Sequence, residues 1–495
     1  MLSATLAASL AVCASAQSAF TKLNASTTCD DACKELVLRV SSWEADQRAS
    51  DFSFYTVPKT YSADLAPGSV LRLEQTTNLT DYTVPAPLTM SRILCTTEEL
   101  NGTVIPASAY VLWPSSPIEV PATNASSKRT QWPIVVWAHG TSGGLSPCAP
   151  SNYRNLQYHF QVPFTLALQG YVVVAPDYAG LGVGKLPNGK EIGHPWAAWP
   201  AQANDIANAV TAARNAFPNF LNPTGPFIVM GHSQGAAAVW SFAERQVSRP
   251  EAGYKGAVAL APPTGVIEQV RRARADHEAN TTQLWTKAFL SFQTPLIKGV
   301  TAAYPSLILS GMTELGRDSW VNVQEAVQGC LPTKQVSGVG APLAEMAHRN
   351  WTEQPAVLEF EKRTAVGRAP FKGPLLIMSG DLDSITDINN LKDTVKDTCE
   401  ALKSSEAQES LQFVKYTGLN HFPVIQASQS KWLGWIRERF FPPFWSVGSR
   451  MRNKDHQGFQ GPGRYQYAVS ELCTRDRGGW KQLEVCSLIH IHSTL

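Results

Sequence analysis

Charge is scarce and nearly cancels along this chain of 495 residues: 42 Lys and Arg stand against 40 Asp and Glu, a formal net charge of +2. With no basic run and no interleaving of basic with aromatic residues, nothing predicts a nucleic-acid partner. No stretch reaches 18 uninterrupted apolar residues, so no transmembrane segment is expected. C-x-x-C pairs and His-Cys clusters with zinc spacing are missing. Gly184-Lys185 has Ala179 where the first glycine of a phosphate loop belongs, and no Ser or Thr follows the lysine. Asp381-x-Asp383 opens like a calcium loop, but Ile385 replaces the third oxygen ligand and Lys392 the closing one. No metal and no cofactor is therefore expected. Internal repeats and low-complexity blocks are absent too.

The N-terminus looks like a secretory signal, although its first residues carry no Lys or Arg. An apolar core runs from Leu2 to Val12, and Ala14-Ser15-Ala16 predicts cleavage before Gln17. Six N-x-S/T sequons, at Asn24, Asn78, Asn101, Asn124, Asn280 and Asn350, fit a glycosylated extracellular protein. Beyond Cys13 in the signal there are eight cysteines: Cys29, Cys33, Cys95, Cys148, Cys330, Cys399, Cys473 and Cys486. An even number in an oxidising compartment favours disulfides over free thiols.

Apolar runs at 69–73 and 107–113 predict strands of an antiparallel edge. From Ile134 onward strand-like runs (134–138, 171–175, 227–230, 257–261, 375–378, 412–416) alternate with helical stretches. That is the pattern of an α/β fold, a mostly parallel sheet covered by helices on both faces. After the run 257–261, the sixth strand counted from 69–73, the alternation stops, and apolar positions recur at helical spacing. One catalytic domain (17–265 and 368–447) interrupted by a helical cap insertion (266–367) accounts for this, with the signal at 1–16. Leu284, Trp285, Phe289 and Phe292 exceed what one buried helix face needs and suggest a second apolar surface facing a substrate. The tail, 448–495, lacks apolar periodicity and is expected to be disordered or an incorrectly predicted terminal exon.

Gly231-His232-Ser233-Gln234-Gly235 spells a nucleophile elbow, and Phe227-Ile228-Val229-Met230 supplies the strand it must follow. Ser233 is the candidate nucleophile. The fold that carries such an elbow places an acid and then a histidine after the serine, each at the end of a later strand. Between Ser233 and the tail only His421 follows a strand signal; His277 and His348 lie in polar, helical stretches. Asp383 is the preferred acid, and Asp381 stays open as its alternative, with a turn-forming role if it is not the acid. The oxyanion donors are expected from the N–H of Gln234 and from the loop His139-Gly140-Thr141-Ser142-Gly143-Gly144, where Thr141 is preferred to Gly140. His139 precedes the elbow, the wrong order for a base, and is expected to be buried and to shape this loop.

His139-Gly140-Thr141, Cys148-Ala149-Pro150-Ser151, Val174-Ala175-Pro176-Asp177-Tyr178-Ala179-Gly180-Leu181-Gly182, His194-Pro195-Trp196 and the elbow occur in order. Together they resemble the secretory lipase family of microbial α/β-hydrolases over about Gly68 to Phe440. The resemblance implies an α/β-hydrolase fold and a secreted lipase or esterase with the catalytic triad Ser233, Asp383 and His421. It also implies a Cys148–Cys330 disulfide and a small-molecule or lipid ester substrate. An acyltransferase using the same acyl-enzyme, and a silent binding protein on the same fold, are the alternatives. Oligomeric state and acyl length are left open.

Overall fold

The computed structural model describes residues 20–49, 52–120, 131–157, 161–281, 283–403, 409–441, 468–476 and 479–486, the last two segments as backbone only. The expected signal, its cleavage point at Gln17 and the sequon Asn124 lie outside the described residues.

The strands are β1 (Val70–Glu74), β2 (Leu88–Glu98), β3 (Val104–Pro114), β4 (Ile134–Ala138), β5 (Val172–Pro176), β6 (Phe227–His232), β7 (Tyr254–Leu260), β8 (Leu375–Gly380), β9 (Leu411–Tyr416), β10 (Ala468–Asp476) and β11 (Gly479–Cys486). They form one sheet in the order β1-β2-β3-β5-β4-β6-β7-β8-β9-β10-β11. From β5 to β9 neighbouring strands run parallel; β1, β2 and β3 meander antiparallel at one edge. The α/β class read from the sequence is the fold observed.

Both faces of β4, β5, β6 and β8 are buried, which is why these strands are mostly unbroken apolar runs without polar alternation. Ile134 and Val136 of β4 point with Phe227 and Val229 of β6 toward one helical layer. Val135 and Trp137 point with Ile228 and Met230 toward the other. The first layer holds the helices Trp199–Ala216, Gln234–Arg245 and Ile388–Lys403; the second holds Pro163–Leu168 and Gln429–Phe440. Among the described residues no helix is long and apolar enough to cross a membrane.

Two elements escaped the sequence analysis. Strand β2 pairs along its full length with β3, yet Ser91, Arg92, Thr96 and Thr97 interrupt its apolar pattern. All four are buried and partnered: Arg92 by Glu74, Thr97 by Asp205, and Ser91 and Thr96 by the carbonyls of Gln75 and Ala66. Near the N-terminus, helix Asp31–Asp46 starts with Asp30 accepting from the Cys33 N–H at 2.8 Å, a side-chain cap.

The expectation for the tail is corrected in part. Strand β9 would otherwise present a row of unpaired backbone groups, and β10 pairs with it antiparallel, from Ala468↔Tyr416 to Cys473↔Leu411. Strand β11 then pairs with β10. Such a ladder is held by backbone groups, so it needs no apolar periodicity to announce it.

Between β7 and β8 the chain forms the helices Val266–Glu278, Thr286–Ser291, Gln293–Ala303, Leu331–Ser337 and Pro355–Thr364 and a π-helical turn, Ser319–Glu325. Cys148 is bonded to Cys330, as the resemblance implied, and Cys29 to Cys33. Cys95 has no disulfide partner among the described residues, against the expectation of disulfides throughout. It is buried in the first helical layer, where a thiol packs as a small apolar group. The Cys148–Cys330 bridge closes a loop with a sequence separation of 182 residues. Replacing both cysteines by Ala is expected to lower the unfolding free energy by about 2–5 kcal/mol, read as a shift in the urea midpoint under non-reducing conditions. An unchanged midpoint would show that packing alone fixes the insertion.

Candidate active site

Ser233 sits at the turn from β6 into helix Gln234–Arg245 with φ +55° and ψ −121°, a strained conformation for a residue with a side chain. Its N–H donates to the Leu260 carbonyl at 2.9 Å, which helps hold the turn. The flanking glycines are required by space. A Cβ on Gly231 would collide with the Gly235 carbonyl, and one on Gly235 with the Ala138 carbonyl at the end of β4. Ala236, Ala237 and Ala238, all fully buried, let the helix lie close to the sheet.

His421 and Asp383 are brought together. His421 Nδ1 donates to Asp383 Oδ2 at 2.7 Å, and the other carboxylate oxygen accepts the N–H groups of Ile385 at 2.8 Å and Thr386 at 2.9 Å. Burial alone would raise the Asp383 pKa, but His421 and these backbone donors outweigh it and hold the carboxyl below its ordinary range. An imidazole that donates from Nδ1 keeps Nε2 as an acceptor. The elbow is docked on this pair through His232, whose Nε2 lies 3.0 Å from the His421 carbonyl with the rings 4.6 Å apart. Asp381 has a different occupation: it accepts from the Gly418 N–H at 2.7 Å and lies 3.5 Å from Lys415 Nζ. His277 and His348 are exposed on the insertion.

Thr141 and Gln234 carry N–H groups without an acceptor among the described residues. Their side chains are fixed from the same segment. Trp196 Nε1 donates to Thr141 Oγ1 at 3.0 Å, and Gln234 Nε2 lies 3.1 Å from His194 Nε2. His194 donates from Nδ1 to the Ala179 carbonyl at 2.8 Å, so Nε2 is free to accept from the amide. Burial pushes its pKa down to about 4, which keeps the ring neutral. His139 is buried as expected, between the carbonyls of Gly140 and Asp177 and against Tyr178, and is likewise pushed down to about 4. His194, Trp196 and His232 received no role from the sequence; His194-Pro195-Trp196 was visible as a motif, but nothing local shows that its side chains meet Thr141 and Gln234.

A tight cavity of about 20 Å³ opens at Thr141 and is walled by Trp196 and by Phe292, Trp320 and Leu331 of the insertion. A second, of about 260 Å³, shares Thr141 and Leu331 with it and adds Trp43, Tyr153 and Phe422, the neighbour of His421. The four apolar residues expected to face substrate therefore divide. Phe292 lines the first cavity, Phe289 is buried in the core, Trp285 packs partly buried against it, and Leu284 is solvent-exposed. Leu284 lies just before helix Thr286–Ser291, which presents its one packed face through Phe289 and Leu290.

Residues 135–429, more than half of the chain, match the family described as the alpha/beta hydrolase family. No curated protein matches the chain by sequence. Lipase A of Candida antarctica in its closed state is similar in fold, with a TM-score of 0.61 and 18% identity over 78% of this chain and 85% of that one. The rice cell wall degrading esterase LipA of Xanthomonas oryzae has a TM-score of 0.56 and 15% identity over 76% and 98% of the two chains. A putative hydrolase of Legionella pneumophila has a TM-score of 0.52 and 15% identity over 72% and 91%.

His194 binds a proton in the unfolded chain below about pH 6.5 but in the folded one only below about 4. Its contribution is present above the unfolded pKa and is lost as pH falls from 6.5 to 4, by about 3 kcal/mol at most. Buried carboxylates titrate with the opposite sign, Asp205 being pushed up to about 7, so the informative quantity is a difference between proteins. His194→Gln is expected to flatten the acid-side fall in unfolding free energy by about one proton's slope relative to wild type. Parallel curves from urea unfolding across pH 4–7 would show that His194 is charged in the folded state.

Proposed function

The chain belongs to the alpha/beta hydrolase family, and on that premise we propose that it is a secreted serine carboxylic-ester hydrolase, a lipase or esterase working through an acyl-enzyme. The observation that carries this reading is the buried His421–Asp383 hydrogen bond at 2.7 Å, docked through His232 against a strained serine elbow. Ser233 Oγ attacks the ester carbonyl while His421 Nε2 takes its proton, and Asp383 holds the ring in the tautomer that makes this possible. The oxyanion is received by the N–H groups of Thr141 and Gln234. His421 then protonates the departing alcohol, and a water activated by the same base releases the acid. The helical insertion, 266–367, acts as a cap; the cavity lined jointly by Thr141, Phe292, Trp320 and Leu331 supports this. Likeness in fold to a lipase and an esterase supports an ester substrate. Two disulfides, the sequons and the signal-like N-terminus support secretion.

On chromogenic esters of graded acyl length, Ser233→Ala is expected to lower kcat by about a million-fold with folding intact, as removal of the nucleophile does in a comparable triad. A phosphonate probe should label Ser233 in wild type. Asp383→Asn is expected to cost about ten-thousand-fold, and Asp381→Asn far less, since Asp381 bonds Gly418 and not His421. Near wild-type turnover in Ser233→Ala would eliminate the proposal, and equal losses at the two aspartates would reassign the acid.

A further inference from the structure

The cavity beneath the insertion is walled by Trp196, Phe292, Trp320 and Leu331, yet two lysines also line it, and they differ. Lys298 Nζ lies 3.0 Å from Glu325 Oε1, which accepts from Trp320 Nε1 at 2.6 Å as well. That charge is compensated within the wall. Lys334, on helix Leu331–Ser337, is buried with 9% exposure, and among the described residues its ammonium has neither an ion-pair nor a hydrogen-bond partner.

The other titratable groups nearby do not supply one. His194 is neutral, with its pKa at about 4. Glu325 is committed to Lys298 and Trp320. Glu44, packed against the start of the same helix, accepts from the N–H groups of Cys330 and Thr333 and from the Thr333 hydroxyl. A desolvated ammonium without a counter-charge is unfavourable, and its three donors want an anionic acceptor. Desolvation accordingly pushes Lys334 down to about 8.

We propose that Lys334 is a specificity-determining residue that receives a carboxylate at the distal end of the substrate's acyl group, so that half-esters of dicarboxylic acids are preferred to esters of plain fatty acids. As it stands the cavity has room for little more than one water, so its apolar walls must part to take the methylenes; it begins at Thr141, where the acyl carbonyl is to be held. This rests on the hydrolase reading above. Lys334 makes and breaks no covalent bond: water and the half-ester give the dicarboxylate, the alcohol and a proton.

The test compares kcat/KM for the mono-p-nitrophenyl ester of adipic acid with that for p-nitrophenyl 6-methylheptanoate, its neutral isostere. Wild type is expected to prefer the adipate ester by on the order of ten-fold or more, because a polar site left unpaired rejects the apolar analogue. Lys334→Met is expected to abolish or reverse that ratio. Independently of any variant, the wild-type ratio should decline as pH rises through about 8, where Lys334 loses its charge; the triad cancels because both substrates use it. Equal cleavage of the two esters by wild type, a ratio unchanged in Lys334→Met, or a ratio flat from pH 7 to 9 overturns the assignment while leaving the hydrolase reading intact. Cleavage of neither ester overturns the hydrolase reading itself and this inference with it.

Discussion

Everything at this site depends on one close backbone approach. Gly235, at the start of the helix after the elbow, lies so near the Ala138 and His139 carbonyls that no side chain fits between them. That contact joins the end of β4 to the end of β6, and so joins the loop carrying Thr141 to the helix terminus carrying Gln234. Thr141 and Gln234, 93 positions apart, thus lie on segments that meet at a position where only glycine fits. Helix termini leave their first N–H groups unsatisfied in any case. Gln234 is the first residue of its helix, and its N–H is one of these.

The opposite half of the site uses parallel pairing in the same way. β8 and β9 are adjacent, with Gly380 opposite Tyr416, so the loops leaving their carboxyl ends emerge side by side. Asp381 N–H donates to the Tyr416 carbonyl at 3.1 Å and Leu382 N–H to the Leu419 carbonyl at 3.0 Å. Asn420 Oδ1 accepts from both the Ser384 N–H and the His421 N–H. Asp381 thus knits the two loops together by its bond to Gly418, and Asp383, two residues on, meets the imidazole. Neither carboxylate is idle; one shapes the clasp and the other faces the ring.

The sequence disclosed whatever is written in local pattern. The elbow was legible because its glycines, preceding strand and following alanines are contiguous, and His421 because it follows a strand signal. The parallel strands were legible because burial on both faces leaves unbroken apolar runs. Strand β2 was not, because its buried polar residues find partners such as Glu74 and Asp205 that lie far away in sequence. The same holds for His194. A neutral histidine 40 positions from Gln234 has no local signature; its role exists only once Ala179 fixes one ring nitrogen and leaves the other to the amide. The division of Leu284, Trp285, Phe289 and Phe292 was beyond periodicity as well, since helical spacing identifies a stripe without saying what covers each member of it.

The insertion is not a freely hinged flap along its whole length. The Cys148–Cys330 bridge and the Leu331 N–H bond to the Ser142 carbonyl, at 2.9 Å, fasten one part of it to the segment that follows β4 and carries Thr141. Glu44, wholly buried, caps helix Leu331–Ser337 from the N-terminal helix. Asp318 Oδ2 accepts from the Ser26 hydroxyl and from the N–H and hydroxyl of Thr28, tying the preceding turn to the N-terminal segment. These fastenings all fall between Asp318 and Thr333. The cavity wall that carries Leu331 and Lys334 is therefore fixed relative to Thr141 by covalent and charge-assisted bonds. Helix Thr286–Ser291 has no such covalent tie: Phe289 and Leu290 pack it into the core. The side chain of Gln293, the residue after Phe292, accepts from Arg274 and Trp351 and donates to the Leu343 carbonyl, so this side of the cavity is held by packing and hydrogen bonds within the insertion itself.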